Sequence, residues 1–245
     1  MLDLWLQRVD EASARWAEQQ SWVFDEEETR RWRRYLTSET RVLFLVAHVV
    51  TRRVLSRYED RAPESWRFDR GTDGRPEIVG GAPGLRFNIS HTEGMVAVLV
   101  HDEADCGVDI EHPWQSMDMP SVSRRVFTDA EQAAIYAQPS ELRADRFYQF
   151  WTLKEAFIKA KGKGLALPLK QFSFALYDEP PGVDERWVDQ HIEFDCDDAI
   201  DPSPNHWQFF THRPESGHIV SIAADRGAAD TGASLVIREP GIEAL

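Results

Sequence analysis

Two short stretches hold residues that could do chemistry together. In CGVDIE, residues 106–111, strand alternation sends Val108 and Ile110 to one face and Asp109 and Glu111 to the other. Neighbouring carboxylates repel unless they are solvated or share a cation, and oxygen-only ligands suit a hard divalent ion. Taken alone, the pair reads equally well as an exposed strand face. In FWTLKEAFIKAKGKG, residues 150–164, a helical turn of about 100° per residue aligns Phe150, Leu153, Phe157 and Ala160 in one stripe. Glu155 and Lys159 lie nearly opposite, flanked by Trp151 and Ile158. A glutamate–lysine pair at this spacing is ordinarily a surface ion pair worth roughly a few tenths of a kcal/mol. Apolar residues on both sides argue for a site instead. If Glu155 meets Asp109 and Glu111, three carboxylates would hold one magnesium, and Lys159 with Lys163 would bring positive charge to a substrate phosphate.

Smaller signals lie upstream. In FNISH, Asn88 and Ser90 share a strand face and His91 follows at the turn. Arg75 sits in GRP, in a glycine-rich turn that permits close backbone approach, and Arg41 stands in the first turn of a helix; a plain surface arginine is the alternative for both.

Those residues need elements to carry them. Leu2, Leu4 and Leu6 alternate as a strand. Residues 26 to 57 read as helix with a break at Thr37-Ser38, where Ser38 can cap and Glu39 suits the positive helix end. GTDGRPEIVGGAPG reads as loop, LRFNIS and MVAVLVHD flank SHTEG as a hairpin, and CGVDIEH follows as a short strand. Downstream, Thr128 and Glu131 form a capping-box pattern, and residues 140 to 161 form a long helix ending at Gly162. KQFSFAL, HWQFFTHR and HIVSIAAD alternate as strands. Helices followed by strands, twice over, suggest two similarly built halves.

Composition bounds the partners. A chain of 245 residues, 42% apolar, can bury a sizeable core. A formal net charge of -14 argues against coating nucleic acid or an anionic membrane, so any bound phosphate must meet a local basic pocket. The acids crowd between residues 178 and 201, where Arg186 is the sole arginine or lysine. The bases cluster at Arg30, Arg31, Arg33 and Arg34, and at Lys154, Lys159, Lys161 and Lys163. Cys106 and Cys196 stand far apart, which suggests reduced thiols rather than a disulfide framework. With no signal-like N-terminus and an apolar run, VLFLVAHVV, too short to span a bilayer, the chain reads as soluble and cytoplasmic.

GVDIE followed by FWTLKEAFIKAKGKGL, with GRP and FNISH before them, resembles the larger, two-lobed (Sfp-like) branch of the 4′-phosphopantetheinyl transferase superfamily. That family's signature is a GxDxE-like strand and a WxxKExxxK helix. The resemblance runs from about Arg33 to about Ala224. It implies an α+β fold of two pseudo-twofold-related lobes, each a small, mostly antiparallel sheet with helices. Residues 1–107 would form the N-terminal lobe and 108–245 the C-terminal lobe, with the active site at their interface. It implies transfer of the phosphopantetheine arm of coenzyme A, the co-substrate, to a serine of an apo acyl or peptidyl carrier protein, releasing adenosine 3′,5′-bisphosphate. Asp109, Glu111 and Glu155 match magnesium ligands. Lys159 matches the lysine near the reacting phosphate, and Lys163 adds charge there. Ser90, His91 and Arg41 match coenzyme A contacts, and Arg75 stands where the family often has lysine. Arg30 and Arg31 are candidates for the 3′-phosphate. A monomer is expected by analogy.

On this reading Glu155 could take the serine proton, directly or through water. Residues 114 to 127, with Met117 and Met119 beside Arg124 and Arg125, form either a carrier-docking patch or an ordinary linker. Two rival classes use the same residues: a magnesium-dependent phosphohydrolase of nucleotide diphosphates, and a non-catalytic module that binds coenzyme A or a carrier.

Overall fold

The leucine alternation at the start of the chain forms strand β1 (Leu2–Arg8) in the computed structural model, which describes residues 1–70, 75–80, 84–102, 104–113, 117–177, 191–227 and 234–245. Helix α1 (Glu11–Gln19) begins at Asp10 and helix α2 (Glu26–Arg34) at Asp25, each aspartate closing a capping box with the residue three further on. The break expected at Thr37-Ser38 is present. The cap is Thr37 rather than Ser38: its hydroxyl accepts from the Thr40 amide at 3.2 Å, and Ser38 becomes the first residue of α3 (Ser38–Leu55).

Strand β2 (Arg67–Arg70) pairs antiparallel with β3 (Pro76–Val79), so part of the expected glycine- and proline-rich loop is strand. Proline is tolerated there because it occupies the first position of a two-stranded edge ribbon. The expected hairpin is β4 (Leu85–Thr92) and β5 (Met95–Asp102), turned at Gly94, whose φ of 81° suits glycine.

The chain divides into two compact units, one made of Met1–Glu103 with Ser234–Leu245 and the other of Ala104–Ala233. In the first, one face of the sheet packs Phe87, Val96, Val98 and Val100 against Val46, Val49, Val50 and Val54 of α3. Leu2, Leu4, Leu6, Ala97, Leu99, Asn88 and Ser90 lie on the opposite face.

The second unit opens with β6 (Cys106–Glu111), followed by α4 (Met119–Val126), α5 (Asp129–Tyr136) and, after one turn of 3₁₀ helix at Ser140–Leu142, the long α6 (Arg143–Lys161). Gly162, in the left-handed conformation at φ 64°, ends α6 as expected. Strands β7 (Phe172–Tyr177) and β8 (His191–Cys196) pair as a ribbon, so the acid-rich segment is partly strand; its residues 178–190 lie outside the described residues. Strands β9 (Trp207–His212) and β10 (Ile219–Asp225) complete a sheet of order β6-β10-β9. Helix α6 lies across β6 and β10, with α5 and β7 on its other flank. This sandwiching is why Trp151 and Ile158 are apolar as well as the Phe150–Ala160 stripe: α6 is buried on nearly every side.

The last strand, β11 (Leu235–Arg238), returns to the first unit and pairs parallel with β1, giving a four-stranded sheet of order β11-β1-β5-β4. Arg238 donates to Asp3 Oδ2, which also accepts from the Tyr58 hydroxyl at 2.6 Å. The units therefore differ from the expected 1–107 and 108–245 at both ends, because β6 is continuous through 107 and 108 and residues 234–245 belong with β1. Both are α+β, each laying a long helix on a small, mostly antiparallel sheet. Among the described residues no helix is long and apolar enough to cross a membrane.

Candidate active site

The site in the second unit begins with the absence of a side chain. Gly107 on β6 faces α6 so closely that a Cβ there would stand 2.0 Å from the Ala156 carbonyl oxygen and 2.5 Å from the Ala160 amide. Only glycine permits this approach. Asp109 and Glu111, two and four residues on, share that face of the strand. The close crossing therefore sets Asp109 directly beside the polar edge of α6.

Lys159 donates from Nζ to Asp109 Oδ1 at 2.7 Å and to the Val108 carbonyl oxygen at 3.2 Å. The Asp109 side chain is 6% exposed and that of Lys159 27% exposed, so the aspartate is sealed while the lysine retains a path to solvent. Glu155, one helical turn before Lys159, has its carboxyl pushed up to about 7, first by burial and then by the negative charge of Asp109, against an opposing pull from Lys159. Two carboxylates and one ammonium thus converge from facing elements. Glu111 is half-buried at the end of β6, near Tyr148, whose hydroxyl pKa is raised first by burial and then by the Glu111 charge. Among the described residues no three aspartate, glutamate, histidine or cysteine side chains are drawn together into a ready cage. The donor chemistry nevertheless fits a hard divalent cation: the groups are all oxygen ligands, and one of them is destabilised as an anion by burial and by the charge of Asp109.

A second contact fixes the crossing from behind. Ser221, the β10 residue paired with Asp109, is fully buried, and its hydroxyl lies 2.7 Å from that of Thr152 on α6. Thr152 gives its own proton to the Tyr148 carbonyl at 2.8 Å, so Ser221 is the donor between them.

The lysine cluster of the sequence is dispersed. Lys154 is sealed in the core, pairing with Glu131 at 3.1 Å and donating to the carbonyls of Leu169 and Phe172. Lys161 pairs with Asp201 at 3.0 Å. Lys159 serves the carboxylates and Lys163 is exposed just past the helix. The capping box at Thr128 is as expected, and its Glu131 also accepts from the Phe174 amide at 3.1 Å. Sequence reasoning found Glu131 as a cap and missed it as the partner of Lys154, since nothing local joins residues on α5 and α6.

The first unit carries its own cavity, of about 430 Å³, lined by Arg31, Tyr35, Phe44, His48, Arg52 and His91 and by the carboxylates of Asp25, Glu27, Glu28 and Asp69. Glu28 and Arg52 form an ion pair of 2.6 Å inside it. His48 stacks on Phe44 and donates from Nδ1 to its carbonyl; burial and the neighbouring Arg52 hold its pKa at about 3, so the ring is neutral. Of the expected coenzyme A contacts, His91 lines this cavity with Arg31, and Pro76, next after the half-buried Arg75, joins them. Ser90 points to the other face of β4 and is buried. Arg30 and Arg41 are exposed and take no part in the lining.

Met117 and Met119 are half-buried, both packing against the hydrophobic core of the second unit, while Arg124 and Arg125 are exposed on α4. Trp114, Gln115 and Ser116 of the same stretch lie outside the described residues. His112, immediately after Glu111, meets the buried His218 edge to face at 4.7 Å, a contact that no sequence spacing announces.

Residues 105–223 match the family model of the 4′-phosphopantetheinyl transferase superfamily. The chain is 32% identical over 153 residues to the 4′-phosphopantetheinyl transferase Sfp of Bacillus subtilis (strain 168), covering 62% of this chain and 66% of that protein. It is 30% identical over 158 residues to the 4′-phosphopantetheinyl transferase HetI of Nostoc, covering 63% of this chain and 66% of that protein. A further 4′-phosphopantetheinyl transferase from Bacillus subtilis is 30% identical over 176 residues, 72% of each chain. The first two matches thus span just under two thirds of their relatives' length.

Proposed function

Because the chain belongs to the 4′-phosphopantetheinyl transferase superfamily, in its Sfp-like branch, we propose that it transfers the 4′-phosphopantetheine arm of coenzyme A to a serine of an apo acyl or peptidyl carrier protein with magnesium bound, releasing adenosine 3′,5′-bisphosphate. The observation that carries this reading is the convergence of Asp109, Glu155 and Lys159 across the β6–α6 crossing. Asp109 and Glu155 would hold the ion, with Glu111 on the same strand face as the third ligand. When bound, magnesium supplies positive charge to the diphosphate oxygens.

The chain's own residues have defined tasks. In the reaction the carrier serine oxygen forms a bond to the β-phosphorus, the bond from that phosphorus to the bridging oxygen breaks, and the serine proton must leave. Glu155 would receive that proton directly or through a water. Lys159 and Lys163 would neutralise charge growing on the phosphoryl and leaving oxygens. Arg31 and His91, with Arg75 nearby, would hold the nucleotide end; Arg41 and Ser90 remain candidates from the resemblance. The carrier is expected to dock by its acidic surface at Arg124 and Arg125. The reading includes a monomer in the cytoplasm, in keeping with two cysteines that stand far apart in the sequence.

The test is the intact mass of an apo carrier after incubation with the protein, magnesium and coenzyme A, beside Asp109→Ala. A phosphopantetheine-sized gain that requires both wild type and metal supports the transfer. Hydrolysis of coenzyme A without a carrier would replace it with the phosphohydrolase reading.

A further inference from the structure

Lys159 stands where Asp109 would otherwise meet a metal cation. Its ammonium is 2.7 Å from Asp109 Oδ1 and is held a second time by the Val108 carbonyl. The two elements approach closely here, since Gly107 leaves no room for a Cβ between β6 and α6. The side chain can move: it is partly exposed, and a lysine stem is long and flexible where the aspartate is sealed.

We propose that Lys159 is the resident counter-ion of the metal-free site, that it competes with the divalent cation for Asp109, and that loading of the metal goes with passage of the ammonium from Asp109 to a phosphate of the incoming diphosphate. This rests on the magnesium-dependent transfer above. A divalent ion placed on Asp109 with the ammonium still in position would face strong like-charge repulsion at a few ångströms. The ammonium therefore leaves as the ion arrives and, with the neighbouring Glu155 engaged by the same ion, takes a new anion. The diphosphate supplies one. Metal and coenzyme A are then favoured together over the metal alone, and by linkage each tightens the other.

The test is calorimetric titration of magnesium without coenzyme A, at pH 8.5 so that Glu155 is ionised, into wild type, Lys159→Met, Lys159→Arg and Lys161→Met, each first shown to be folded by thermal melting. Removal of the competing ammonium should tighten magnesium binding by about tenfold in Lys159→Met, which is about 1.4 kcal/mol. Lys159→Arg, which keeps a cation on Asp109, and Lys161→Met, whose lysine serves Asp201, should stay within about twofold of wild type. Unchanged or weaker binding in Lys159→Met overturns the competition, as does equal tightening in Lys161→Met, which would reduce the effect to net charge. If wild type still modifies a carrier with magnesium in that case, only the competition falls. If no variant binds magnesium with or without coenzyme A, the metal reading falls and the competition with it.

Discussion

The ammonium of Lys154 lies 3.1 Å from Glu131 Oε2, with the two side chains 1% and 0% exposed. The pair joins α6 to the start of α5 and, through the Leu169 and Phe172 carbonyls, to the entry of β7. Burial depresses the lysine's pKa against the attraction of Glu131, so the charge is held there by its partners alone.

Breaking that pair should unfold the second unit more readily than any change at the reacting groups. Lys154→Ala leaves a buried carboxylate uncompensated and should cost about 3–5 kcal/mol. Lys154→Met combined with Glu131→Gln should recover a large part. Denaturant titration of the three proteins reads the difference, and a loss below about 1 kcal/mol for Lys154→Ala would contradict a sealed ion pair.

Gly107→Ala is expected to damage site and stability together. The added methyl has nowhere to go but into the α6 backbone, so the helix must shift. Overpacking of this kind costs about 1–3 kcal/mol or more. Because the shift parts Asp109 from Glu155, magnesium affinity should fall further than melting temperature alone predicts. Wild-type affinity in a folded Gly107→Ala protein would show that the crossing distance does not matter.

Glu155 keeps its proton to about pH 7 in the folded chain but releases it near 4.5 when unfolded. Between those values the folded state binds more protons, so metal-free stability falls as pH rises through the window and stays low above it. Glu155→Gln should remove the slope and gain roughly 2–3 kcal/mol over wild type at pH 8 in the presence of a chelator. At pH 5 the gain should be much smaller. Equal gains at both pH values would mean that the side chain is destabilising for a reason other than its charge.

The Thr152–Ser221 contact should respond unequally to its two truncations. Ser221→Ala removes a donor and leaves Thr152 still bonded to the Tyr148 carbonyl, at small cost. Thr152→Val strands the Ser221 hydroxyl in the core and should cost about 1–3 kcal/mol. Equal losses in thermal denaturation would show that the Ser221 hydroxyl does not depend on Thr152 for its hydrogen bond.

Arg124 and Arg125 are exposed on α4 and free of the core that claims Met117 and Met119. Changing both to glutamate should raise the Michaelis constant for an acidic carrier several-fold, with little change for coenzyme A, and the effect should shrink in high salt. An unaltered carrier constant would move docking elsewhere.

What the sequence showed well was local. The capping box at Thr128, the stop at Gly162, the β4–β5 hairpin and the shared face of Asp109 and Glu111 all follow from spacings of a few residues, where backbone geometry permits few outcomes. What it hid was pairing at a distance. Lys154 and Lys159 look alike on one helix, yet one is buried among α5 and β7 while the other meets β6, and only the packing of both flanks distinguishes them. Met117 and Met119 stood in a stretch that read equally as docking patch or linker; the core they pack against is supplied largely by other elements. The proline in β3 argued for a loop, since an edge strand is invisible until its partner is known.

The return of β11 to β1 has a consequence for how the chain is made. Leu2 pairs with Leu235, so β1 emerges from the ribosome early but gains one of its two neighbours only after residues 104–233 have been synthesised. The second unit is free to fold during that interval, while β1 waits with an open edge that invites pairing with a foreign strand. Completion of the first sheet is thereby tied to the late arrival of Leu235–Arg238, and a chain stalled before them would carry a finished carboxylate site and an unfinished first sheet.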